Sequence, residues 1–117
     1  MASERRIEKI ENLLREMTAE IIARDFAFPE GTLVTVTRTS VSEDLFHATI
    51  FISVLASDLA AEAAVLGELT RAAGSVQHAL NRKLRMRPVP RITFAIDKEE
   101  KRRERIEKLL GEGGDDS

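Results

Sequence analysis

The chain of 117 residues contains no cysteine, no tryptophan and no tyrosine, and five phenylalanines are its only large aromatic side chains. Without cysteine there are no disulfides, no thiolate metal sites and no thiol nucleophile, which suits a reducing compartment. With so few aromatics, a base-stacking sheet of the RNA-recognition-motif kind is disfavoured. No run approaches the roughly 20 apolar residues that cross a bilayer. The N-terminal MASERRIEKI is charged where a signal peptide would be apolar. A cytoplasmic protein with no membrane partner is therefore expected. The two histidines, His47 and His78, lack metal-type spacing, and no Gly-rich phosphate loop, nucleophile elbow or His-Glu-x-x-His stands in the chain. Glu43, Asp44 and His47 lie close together, but turn chemistry accounts for the two carboxylates. No catalytic residue, metal, cofactor or small-molecule substrate is expected.

What is present is a charged, globular composition, 43% hydrophobic and 32% charged. That length fits one domain, residues 1–110, followed by an acidic tail, residues 111–117, expected to be flexible. The charges are not evenly mixed. The segment Leu69–Ile96 carries Arg71, Arg82, Lys83, Arg85, Arg87 and Arg91 and no Asp or Glu, in a chain of formal net charge -2. Solvated surfaces ordinarily intersperse both signs. A cationic stretch without local acid is an electrostatic footprint for phosphate, and so for nucleic acid.

Helical spacing of Leu69, Ala72, Ala73, Val76, Leu80 and Leu84 places an apolar stripe through the same segment. Gly74 interrupts it and Ser75 can cap a new helix. Two helices meeting at Ala73-Gly74-Ser75 are predicted, the second running to about Met86. Past the bend, His78, Arg82 and Arg85 share an exposed face. The bare helix start suits a phosphate; the other reading of Gly74 is a close packing contact that needs a small residue. The candidate nucleic-acid-binding residues are Arg71, Ala72, Ala73, Gly74, Ser75, His78, Arg82, Lys83, Arg85 and Arg87. Whether Arg5 and Arg6 join them, nothing local decides.

The rest of the chain reads in order. Ile7, Ile10, Leu14, Met17 and Ile21 predict a first helix over residues 3–24, capped by Ser3. Pro29 and Gly31 break the chain before a Thr/Val-rich strand, residues 32–41, whose imperfect alternation fits either a bulge or an exposed edge. Ser42-Glu43-Asp44 turns into a second strand, residues 46–55, with Phe46, Ala48, Ile50, Ile52 and Val54 on one face. Ser57 or Asp58 can cap a helix from about Leu59 to Ala72. Pro88 and Pro90 precede a third strand, residues 91–96, for which a parallel crossover is open. Asp97 and Glu100 form a capping box for a last helix, residues 98–110. No further apolar stripe calls for a second copy, and a monomer is expected.

Three stretches in this order resemble the ribosome-binding factor A family: Val41-Ser42-Glu43-Asp44-Leu45 leading into Ala48–Val54, Ala72-Ala73-Gly74, and Leu84–Phe94. They are similar, in turn, to that family's Ser-x-Asp-Leu turn, its Ala-x-Gly bend and its Leu-Arg-x-x-Pro-x-Leu-x-Phe segment. The resemblance implies an α+β, type II KH-like RNA-binding domain. Its order is helix-strand-strand-helix-kink-helix-strand with a C-terminal helix, the three-stranded sheet covered by helices on one face. It further implies a factor that binds the immature small ribosomal subunit and its rRNA and supports late rRNA processing, especially in the cold. In that family Ala72 and Gly74 correspond to the bend and Arg85 to the basic segment after it. The alternative class is a protein-docking module of the same fold. Two features depart from the family pattern: Phe26-Ala27-Phe28-Pro29 after the first helix, and the slightly acidic net charge.

Overall fold

The computed structural model describes residues 3–115, and the order of elements is the one expected. Helix α1 spans Glu4–Asp25, strands β1 and β2 span Leu33–Val41 and His47–Leu55, and helices α2 and α3 span Ala61–Arg71 and Ala73–Lys83. Strand β3, Arg91–Ile96, and helix α4, Lys98–Asp115, complete the chain. The sheet order is β1-β2-β3, with β1 antiparallel and β3 parallel to the central β2. The two-helix crossover supplies the length that a parallel connection needs.

Local chemistry sets most boundaries. The Ser3 hydroxyl accepts the Arg6 N–H at 3.2 Å and caps α1. Between α1 and β1 the Thr32 N–H bonds the Pro29 carbonyl at 3.0 Å, and Gly31 supplies the positive φ of 84° that this turn requires. In the hairpin the Asp44 carboxylate accepts from the Ser42 hydroxyl (2.6 Å) and the Phe46 N–H (2.9 Å). Those bonds, the hydroxyl's first, lower its pKa, so Asp44 is a turn residue as its sequence context suggests. Strand β1 has both features its alternation left open: it is an edge strand, and its register slips between Val36 and Arg38.

One face of the sheet holds the core. Ala48, Ile50, Ile52, Val36, Val41, Ile92 and Phe94 pack beneath Ile10, Leu14 and Ile21 of α1, Val65 and Leu69 of α2, and Val76 and Leu80 of α3. Phe46, expected on that face, lies just before β2 and is 55% exposed. Helix α2 starts later than expected, at Ala61, because the Asp58 carboxylate and carbonyl take the N–H groups of Ala60 and Ala61 in a turn of their own. Leu59 is left exposed. Helix α4 is longer than the expected 98–110; it continues through Asp115, so the segment expected as a flexible tail is helical as far as that residue, and the last two residues lie outside the described ones.

Glu11 joins α1 to β1. Its carbonyl accepts the Thr39 hydroxyl at 2.5 Å and its carboxylate accepts the Val41 N–H at 2.9 Å. By contrast the fully buried Thr18 hydroxyl on α1 has no hydrogen-bond partner among the described residues. An unsatisfied buried hydroxyl costs about 1–3 kcal/mol. Thr18→Val, nearly isosteric and of similar helix propensity, is therefore expected to raise stability by about 1 kcal/mol in urea unfolding. A loss of stability would mean that the hydroxyl is satisfied after all.

Candidate nucleic-acid interface

The bend is real but sits earlier than expected. Ala72 alone leaves the helical region, at φ -92° and ψ 5°, while its N–H bonds the Glu68 carbonyl and its carbonyl accepts the Val76 N–H. Gly74 and Ser75 thus lie inside the first turn of α3, and Ser75 is not its cap. Among the described residues no side chain caps α3. Leu69 before the break and Val76 after it are both buried, so the apolar stripe continues through the bend.

Gly74 satisfies no internal demand. A Cβ built there meets nothing within 4 Å, and its φ is not positive, so the close-contact reading of this glycine fails. A helix start leaves its first N–H groups without partners in that helix. Here those groups belong to Ala73, Gly74 and Ser75, a turn with neither bulk nor acid.

The cations of α2, of α3 and of the segment after it divide into three kinds. Arg82 and Arg85 are exposed and make no ion pair among the described residues. Arg71 is also exposed and unpaired there, but it lies back along α2, its Nη1 3.3 Å from where a Gly67 Cβ would stand. Lys83 lies 3.9 Å from the Glu20 carboxylate of α1, a loose surface pair of little energetic weight. Arg87 is different. Its Nη1 donates to the Leu84 and Met86 carbonyls, both at 2.7 Å, and its Nη2 to the Asn81 carbonyl at 3.0 Å. It holds the end of α3, which stops at Lys83 rather than Met86 because Leu84 is already extended. Arg87 is thus a helix clamp, and the edge of its guanidinium is committed to the chain's own carbonyls. His78 is exposed on the outer face of α3.

Arg6 is the residue that sequence reasoning could not place. With Lys83 and Arg85 it rims a groove of about 350 Å³ whose walls are Ile10, Leu13, Met17, Leu84 and Met86. The available signal was the repeat Arg6, Ile10, Leu13, Met17, spaced by four, three and four on one side of α1. A smaller cleft, of about 250 Å³, joins Arg24 to Arg82 and Lys83, but Arg24 is committed to Asp25 through two bonds of 2.8 and 3.1 Å. The result is a band of cations running over the end of α3 and onto α1. Among the described residues no cluster of His, Cys, Asp or Glu could hold a metal, and no helix is long and apolar enough to cross a membrane.

The family model described as Ribosome-binding factor A matches residues 6–110 of the chain. A protein of that name from Protochlamydia amoebophila is 38% identical over 107 residues, covering 91% of this chain and 81% of the relative. Another from Geobacter metallireducens is 30% identical over 110 residues, covering 94% and 92%. The crystal structure of ribosome-binding factor A from Thermus thermophilus superposes with a TM-score of 0.66 at 28% identity, over 77% of this chain and 93% of that one. A homology model of the factor from the same organism, fitted into a cryo-EM map of a 30S complex, gives a TM-score of 0.61 at 27% identity, over 73% and 88%.

Proposed function

Since the chain belongs to the ribosome-binding factor A family, we propose that it is a non-enzymatic assembly factor that binds the immature small ribosomal subunit through its rRNA. In this reading it works in the cytoplasm as a monomer and supports late rRNA maturation, especially in the cold. The placement of the related Thermus thermophilus factor in a 30S complex supports the choice of partner. Arg82 and Arg85, with Lys83 and Arg6 at the same end of α3 and Arg71 at the other, neutralise backbone phosphates. The α3 start brings backbone N–H groups against one of them. Such contacts position a protein on RNA and carry little sequence information, so the shape of the assembling particle supplies selectivity.

The observation that carries this reading is the open space at Gly74. A residue that the fold does not need, at a helix start with Arg71 three residues before it and Arg82 about 12 Å along α3, is explained by close approach of an external backbone. Gly74→Ala separates the two roles. It is expected to stabilise the protein by about 0.5–1 kcal/mol, because Ala is the better helix former. It is also expected to weaken association with free small subunits about tenfold, the equivalent of one charge-assisted hydrogen bond. Thermal unfolding and co-sedimentation with purified subunits measure the two effects. Unchanged sedimentation would show that nothing approaches this turn.

A further inference from the structure

On the flank of α3 that faces β3 lies an open cavity of about 360 Å³, lined by Gln77, Asn81, Arg87, Pro88, Val89 and Arg91. The cavity lies within the size range of small-ligand sites, and its hydrogen-bonding sense can be worked out atom by atom. Gln77 Nε2 donates to the Pro90 carbonyl at 2.9 Å, and Gln77 Oε1 accepts the Ile92 N–H at 2.8 Å. A carbonyl only accepts and a backbone N–H only donates, so the orientation of this amide is settled. Gln77 Nε2 also donates to Asn81 Oδ1 at 3.2 Å. That orients Asn81 in turn: its oxygen is engaged, and its Nδ2 keeps donors for an incoming group. The Arg87 guanidinium has its edge tied to three backbone carbonyls, which holds its plane in one position. Arg91 is exposed and, among the described residues, makes no ion pair. Pro88 and Val89 supply apolar wall.

The side-chain groups left uncommitted in this notch are therefore donors, set beside a fixed cationic plane and an apolar surface. The complement is a flat ring that presents two adjacent acceptors. Of the unpaired bases guanine offers O6 with N7 and cytosine N3 with O2, while adenine and uracil offer no such pair; guanine brings the larger ring face to the Arg87 plane. We propose that the notch holds one unstacked guanine of single-stranded RNA, its face on Arg87 and Pro88 and its O6/N7 edge on Asn81 and Arg91. Unstacked bases laid on arginine planes and read at their edges are a recurrent mode of RNA recognition. This proposal rests on the reading of α3 as an RNA-binding helix and adds base selectivity to it.

The test is fluorescence anisotropy with three labelled octamers: U8, U8 with one central guanine, and the same with 7-deazaguanine. The guanine octamer is expected to bind about tenfold more tightly than U8, within the discrimination of a good bidentate contact. The 7-deaza octamer, lacking the N7 acceptor, is expected to lose most of that gain. Asn81→Ala leaves the backbone carbonyl that holds Arg87 and the Gln77 bonds to β3 in place. It is expected to abolish the guanine preference while leaving U8 affinity and its salt dependence unchanged. Equal affinity for U8 and the guanine octamer, or a preference that survives Asn81→Ala, would overturn the notch. If U8 and small subunits still bind with strong salt dependence in that case, the phosphate reading stands alone. Absence of binding to every octamer and to subunits would overturn both.

Discussion

Reversal of two charges, Arg82→Glu with Arg85→Glu, is expected to lower affinity for the small subunit by about 100-fold or more near physiological salt. The magnitude follows from counterion release. Each phosphate neutralised on a single strand contributes about 0.7 to the slope of log K against log salt, and about 0.9 on a duplex, so one contact is worth roughly fivefold at 0.15 M. Losing two gives roughly 25-fold, and placing two carboxylates against phosphate adds repulsion. For four or five phosphates met, the unaltered protein is expected to show a slope of about -3 to -4, and the double variant a slope shallower by about 1.5. The fold should not report the change, since both side chains are exposed and neither holds an ion pair among the described residues. Binding measured over a salt series, with thermal unfolding as the control, reads both. Undiminished association would transfer the function to a protein-docking surface.

The second large effect concerns stability. Asp97→Ala is expected to cost about 3 kcal/mol and lower the melting temperature by about 10–15 °C. Asp97 is 3% exposed and joins three elements. Its Oδ1 accepts the N–H groups of Glu99 and Glu100, both at 3.0 Å, and so caps α4. Its Oδ2 accepts from the Thr37 hydroxyl (2.5 Å) at the β1 bulge and from Arg38 Nε (3.3 Å), while its own N–H extends the ladder to the Ile52 carbonyl (2.8 Å). Arg38 is in turn laid over the Phe51 ring, 3.8 Å from its centroid. The expected capping box is therefore one-sided: Glu100 pairs with Arg103 at 3.2 Å, because the Asp97 N–H is already in the sheet.

The same carboxylate makes stability depend on pH. Burial pushes its pKa up, but the bonds from Thr37, the Glu100 N–H and Arg38 outweigh burial and hold it below the ordinary aspartate value of 3.8. A lowered folded pKa means that the unfolded chain takes up the proton first. The contribution is complete above the unfolded value and is lost as pH falls through the lower folded one. Urea midpoints of the unaltered protein should fall steeply below about pH 4. Asp97→Asn, which still caps a helix but cannot ionise, should flatten that fall. An unchanged acid limb would assign the pH dependence to other groups.

How far the sequence could be read varies from element to element. Ser3 and the spacing of Ile10, Leu14 and Ile21 placed α1 almost to the residue, and the alternation of Ile92, Phe94 and Ile96 placed β3 fully. Both are set by local rules, a hydroxyl capping its own helix and a period that puts like residues on one face. The bend was legible as a bend, but the chain breaks at Ala72 and not at the glycine. Gly74 and Ser75 are the locally plausible breakers, yet both are helical, and the one residue outside the helical region is an alanine with no local signal of a break. The acid-free run Leu69–Ile96 announced exposed cations, and Arg71, Arg82, Arg85 and Arg91 are exposed and unpaired among the described residues.

Which of its members are engaged by the chain's own groups was beyond the sequence. Arg82, Arg85 and Arg87 look alike in one dimension, since each is a long flexible cation near the end of a helix. Only the folded backbone places the Asn81, Leu84 and Met86 carbonyls around Arg87 while leaving the other two pointed at solvent. Arg6 joins the band for the same reason, through the packing of α1 against α3 rather than through any neighbour in the chain. Periodicity and capping, which act over three or four residues, were settled by the amino-acid order alone. The engagement of each guanidinium depends on groups within about 3 Å in space. For Arg87 they are carbonyls of nearby residues turned inward where the chain leaves α3, and for Arg38 the carboxylate of Asp97 across the sheet; only the folded structure brings either set together.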